Sequence, residues 1–210
     1  MNDIMRNKTS TQLFQYWNVI RGDRELPRRN EIDPSAIRTL LPQLFILERD
    51  HFGGMKFRLA GTHVCALFDR DFRGRQFATL WLGSQAGKVL QIGRRVMAQH
   101  VPVVLSATAR TEDGRELETE TLLLPLASNE GHSDASNEGH SDRILGSLSP
   151  LSRPYWLNAT PVSALDVTGL RVLDPDRTAA FLKEPAAGDA SQPGIRRVQH
   201  LRVFEGGRDG

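Results

Sequence analysis

The sequence predicts an α+β domain in which a five-stranded antiparallel sheet carries helices on one face. Three observations predict it. Segments with strand character occur as a pair at 44–61 and as a group of three at 102–151. Between the two groups, residues 62–100 carry apolar side chains at helical spacing. Within each group, glycine-bearing turn signals join neighbouring strands, as antiparallel pairing allows. Hairpin strands on both sides of a helical stretch then form one sheet with the helices laid across it.

The first element is a helix over 10–21. Leu13, Trp17 and Ile20 fall at i, i+4 and i+7, and Phe14 widens the apolar stripe. Ser10 or Thr11 supplies a cap, and Gly22 suits the left-handed stop. After a polar connection, Asp33-Pro34 opens a short helix through Leu41. LFILERD (44–50) and MKFRLAG (55–61) read as strands around a glycine turn, with Phe57 and Leu59 facing inward and Lys56 and Arg58 facing water.

Residues 62–71 form a short helix with Val64, Leu67 and Phe68 turned to the core. A connector follows over 71–77, then one helical turn over 79–82. The strongest helix runs over 84–100, capped by Ser84, with Val89, Ile92, Val96 and Met97 in its stripe. The last three strands are 102–111, 115–127 and 143–151, the first two joined by the hairpin signal Glu112-Asp113-Gly114.

Residues 128–134, SNEGHSD, recur unchanged at 136–142. A polar period this short is a tandem duplication at a hairpin tip, where added length costs little loop entropy. Its histidines and acids suggest a metal site only if flexible Gly- and Ser-rich chain is ordered to hold one; no metal is expected. The organisation is therefore a flexible start over 1–9, one domain over 10–152, and an extension over 153–210. That extension adds a strand at 168–173 and is largely disordered after 183.

Composition narrows the function. Lys+Arg 27 against Asp+Glu 25 leaves a net charge of +2, without the dense basic surface of a nucleic-acid binder. Cys65 is the single cysteine, so no internal disulfide or multi-cysteine zinc site is available. No signal peptide or membrane span is read, which points to the cytoplasm. GxSxG, GxxxxGK[ST], HExxH and GxGxxG patterns are all missing, and 153–210 is too short for a catalytic output module. The protein is expected not to be an enzyme.

Several motifs carry a family resemblance. Trp17, Arg21, Gly22, Leu26, Pro27, Arg28, Arg29, Ile32, Asp33 and Pro34, then FRLAGT (57–62), FDRDFRGRQF (68–77), ETLLLPL (120–126) and RILGSL (143–148), resemble the alphaproteobacterial single-domain PAS protein family in the same order. The resemblance spans residues 13–152; the duplicated loop departs from it. It implies a PAS fold and a regulatory role, with some members linked to cell-cycle, motility or polarity control. It implies no common ligand.

Two functions follow as expectations: a signalling adaptor working through a homodimer or a protein partner, or a sensor holding a small metabolite. Phe57, Leu59, Val64, Cys65, Phe68, Trp81, Ile92 and Val96 either fill the core or line a PAS cavity. Leu13, Phe14, Trp17 and Ile20 either anchor an interface or pack onto their own domain. Arg21, Arg24, Arg28 and Arg29 either contact an anion or belong to a solvated linker whose charge Asp23 and Glu25 half offset. Cys65 lacks the asparagine, arginine and glutamine neighbours of a flavin photosensor, and His63 and His100 are isolated histidines. Neither flavin nor haem is expected.

Overall fold

The computed structural model describes residues 4–128, 141–157 and 159–183. Most of the duplicated segment and the tail after 183 lie outside them. The elements are α1 (Lys8–Arg21), β1 (Leu44–Arg49), β2 (Met55–Ala60), α2 (Thr62–Phe68), α3 (Gly83–Gln99), β3 (Val103–Thr111), β4 (Glu116–Ala127), β5 (Ser141–Pro150), β6 (Val162–Val172) and α4 (Pro175–Lys183). One antiparallel sheet runs in the order β2-β1-β5-β4-β3-β6. The β3–β4 hairpin closes where expected, with Gly114 at φ +83° and its N–H donating to Thr111 O.

The sheet has six strands where five were expected. The extension past Ser152 supplies β6, which pairs along β3 from Val162 to Val172 and is longer than the expected 168–173. Two register shifts against β3 break its alternation, so a simple period-2 reading sees only its end. Gln85 of α3 secures this strand: its Nε2 donates to Asp166 Oδ1 at 2.6 Å, and Val167 N–H donates to its Oε1 at 2.6 Å.

Helices cover both faces of the sheet, not one. α2 and α3 pack on the inner face with Phe45, Phe57, Leu105 and Leu123. α1 crosses the outer face, where Leu13, Phe14 and Trp17 meet Leu122, Leu124, Leu126 and Leu145. The reason lies in β4. Its run LLLPL is apolar at consecutive positions, so both faces of that strand must be sheltered from water. α1 shelters the outer one.

Helix starts differ from expectation. α1 begins before Ser10 and is capped by Asn7, whose Oδ1 accepts from Thr9 N–H at 2.8 Å. Ser10 is buried against the sheet instead. The chain ahead of it, expected to be flexible, is held from residue 5: Met5 is buried, and Arg6 and Asn7 N–H donate to Glu120 at 2.8 and 3.0 Å. α3 begins at Gly83 without a side-chain cap, leaving Ser84 inside its first turn; Leu82 N–H donates to Leu165 O of β6 instead. The expected helix from Asp33 is a series of turns ending in the 3-10 turn Leu41–Gln43. The helical turn expected at 79–82 is the 3-10 helix Phe77–Leu80.

Candidate functional site

The interior between the inner sheet face and α2 and α3 was the first expected site. Rings run through it in contact. Phe45 meets Phe57 at 5.6 Å and Phe77 at 5.7 Å, Phe57 meets Phe72 at 5.1 Å, Phe72 meets Phe68 at 5.3 Å, and Phe77 meets Trp81 at 5.6 Å between centroids. Two glycines permit this density. A Cβ on Gly146 would lie 2.2 Å from the Phe45 ring, and one on Gly93 would lie 2.2 Å from Met55 Sδ. Phe57, Val64, Phe68, Trp81, Ile92 and Val96 are buried members of this cluster, and Cys65 packs half-buried against it. The indole Nε1 of Trp81 is buried without an acceptor among the described residues.

Leu59 is the exception, 47% exposed. β1 pairs Ile46 with Leu59 but Leu47 with Phe57, so Arg58 is an extra residue in the ladder. This bulge turns Leu59 to the outer face, away from Phe57. The histidines do not enter the interior. His63 is exposed on α2. His100 ends α3 in the left-handed region, its Nδ1 2.8 Å from Glu25 Oε2. Among the described residues, no group of three or more His, Cys, Asp or Glu side chains is placed to hold a metal ion.

The expected interface stripe is corrected. Leu13, Phe14 and Trp17 have no exposed surface, and Trp17 Nε1 donates to Pro125 O at 2.9 Å. They are core residues of the chain's own outer face; Ile20 is half-buried beside them. The arginine cluster likewise disperses. Arg21 is buried, pairs with Asp176 of α4 and lies 5.8 Å over the Trp17 ring. Arg24 pairs with Glu31 at 2.8 Å. Arg28 lies exposed in a bridge to Ala127. Arg29 lines a cleft.

That cleft, about 490 Å3, opens on the outer side of β1 and β2. Arg29, Lys56, Arg58 and Arg73 bring positive charge to it, Glu48 and Asp71 negative charge, and Ile46 and Leu59 an apolar patch. Lys56 Nζ lies 3.2 Å from Glu48 Oε1 and Arg58 Nη1 3.3 Å from Glu48 Oε2. Burial works against the Glu48 carboxylate, yet Lys56 and Arg58 together hold its pKa below the ordinary value. Strand alternation alone assigns Lys56 and Arg58 to plain solvent. The available signal was their alternation with Leu59, but the bulge that unites them is a matter of pairing register, not of pattern.

No curated protein matches the chain. Among solved structures, it is similar to a light-oxygen-voltage domain studied with a flavin analogue, at 16% identity over 58% of this chain and 85% of that one, TM-score 0.42. It is also similar to the light-state LOV domain of the blue-light photoreceptor Aureochrome1, at 15% identity over 58% and 90%, TM-score 0.39. A PAS domain from Colwellia psychrerythraea matches at 11% identity over 56% and 97%, TM-score 0.39. The PAS domain family model PAS_5 matches residues 5–149. With strands one to five in the order β2-β1-β5-β4-β3 across the matched region and its edge, the chain belongs to the PAS domain family.

Proposed function

We propose that this protein is a non-enzymatic PAS signalling adaptor, acting in the cytoplasm through contacts with a protein partner or a second copy of itself. PAS domains are in general sensory modules without catalysis, and they commonly dimerise or contact signalling partners. One observation carries the adaptor reading: the contact chain of rings from Phe68 to Trp81, with Met55 and Phe45 seated against glycines. An interior packed in this way favours input through the surface. The test is native mass spectrometry and an absorption spectrum of freshly purified protein, alongside capture of partners from the native cell. The adaptor reading expects a chain free of small molecules, with a stoichiometric protein partner or the mass of a dimer; a retained small molecule in a monomer without a partner would defeat it.

A second reading, a metabolite sensor, draws on the Trp81 indole N–H, which is buried without an acceptor. A ligand carbonyl or carboxylate would supply one. In that case Trp81→Phe lowers ligand retention more than it lowers stability.

A further inference from the structure

We propose that the outer cleft beside β2 binds an acidic segment of a partner protein, an aliphatic side chain resting on Leu59 and its flanking carboxylates meeting Arg29 and Arg73. This rests on the adaptor reading and names the chemistry of its partner.

Charge comes first. Four cationic side chains line the cleft against two carboxylates. Glu48 is engaged by both Lys56 and Arg58. Asp71 turns its Oδ1 to the backbone N–H of Arg73, at 2.9 Å. Arg29 Nε is buried without a partner, and neither Arg29 nor Arg73 has a carboxylate among the described residues within ion-pairing reach. An unmatched buried donor such as Arg29 Nε is costly, and a carboxylate matches a guanidinium, including the exposed one of Arg73, in a planar, two-pronged way. The cleft is thus complementary to a negative partner.

The bulge supplies the second argument. Regular pairing would bury Leu59 beside Phe57; the extra residue Arg58 turns it outward to 47% exposure among these cations. Bulges re-aim side chains in this manner at working surfaces. A bare phosphate would gain nothing from Leu59 and Ile46, whereas a peptide alternating acids with an aliphatic residue uses both features. The cations arise from three separate stretches (29, 56–58 and 73), and Arg58, Leu59, Asp71, Arg73 and Gly74 are all exposed. An open rim of this kind suits an extended chain better than a small enclosed anion.

The experiment uses the full chain and a short fluorescein-labelled peptide in which leucines alternate with Asp-Glu pairs, read by polarisation. Its counterpart carries Lys for each acid. The acidic peptide is expected to bind, more weakly as salt rises, and the Lys peptide not to bind. Arg73→Glu and Leu59→Asp, both at exposed positions, are each expected to weaken binding about tenfold or more with the circular-dichroism melt unchanged. Equal binding of the two peptides, variants that bind like the parent, or displacement by inorganic phosphate at matched ionic strength as effective as by unlabelled peptide would each overturn the proposal. Partner capture separates the two readings. A partner held equally by the parent and both variants overturns the cleft and leaves the adaptor standing; recovery of no partner from a chain that is also monomeric overturns the adaptor.

Discussion

The ring of Phe45 lies directly against Gly146, its partner across the β1–β5 ladder, so closely that a Cβ there would stand 2.2 Å from two ring carbons and 2.9 Å from Leu122 O. The glycine is the floor on which the central ring of the interior rests. Gly146→Ala therefore forces the ring or the strand to move, and is expected to cost about 1–3 kcal/mol. Phe45→Ala is expected to cost about 3–5 kcal/mol. Because one side chain occupies the space the other vacates, the double variant should be less destabilised than the sum of the two. Urea denaturation of the three variants checks this; strict additivity would show that the two residues do not share the space.

Trp17 tests the placement of α1. With no exposed surface and its indole N–H donating to Pro125 O, Trp17→Ala should lower unfolding free energy by about 3–5 kcal/mol. Trp17→Phe should lose less, chiefly the hydrogen bond to Pro125 O and part of the packing. Light scattering should give the same mass for Trp17→Phe as for the parent. A drop in mass with unchanged stability would return this helix to an interface role.

Glu120 is 1% exposed and accepts from two backbone N–H groups at the head of α1, with Arg171 Nη2 3.5 Å away. A carboxylate there complements the positive end of the helix. Glu120→Ala leaves those part-buried donors without their acceptor and should cost about 1–3 kcal/mol. Amide hydrogen exchange at Arg6 and Asn7 should accelerate by more than at Trp17 or Ile20. Uniform acceleration along the helix would show that Glu120 anchors nothing local.

Acid should loosen the β1–β2 turn before the sheet. The hydrogen bond from Gln76, aided by the N–H groups of Gly54 and Phe52, holds the Asp50 carboxyl below the usual carboxylate range. A folded pKa below the unfolded value of about 4 stabilises the turn at all pH above that value. This contribution is lost as pH falls through the lowered folded value. Exchange at Phe52 and Gly54 should thus rise in acid, after correction for intrinsic rates. Asp50→Asn should show the open turn at neutral pH and no further change on acidification.

Several elements written in strong local signals formed where those signals stand. The stripe of α3 and the Gly114 turn between β3 and β4 are properties of adjacent residues, so the sequence alone determined where they stand. Phe57, Val64, Phe68 and Val96 were legible as core for the same reason. What only tertiary structure decided were questions of which surface meets which. The stripe of Leu13 and Trp17 has the same pattern whether it covers a partner or its own sheet; the apolar outer face of β4 and β5 settled it. Leu59 obeys strand alternation in sequence, yet one extra residue in the pairing of β1 with β2 reverses its face. β6 joined the sheet through register shifts and the side chain of Gln85, neither of which leaves a periodic trace. Local pattern fixes an element because its cause lies within a few residues of chain. Partnering depends on contacts between residues far apart in sequence, and those are decided only when the whole sheet closes.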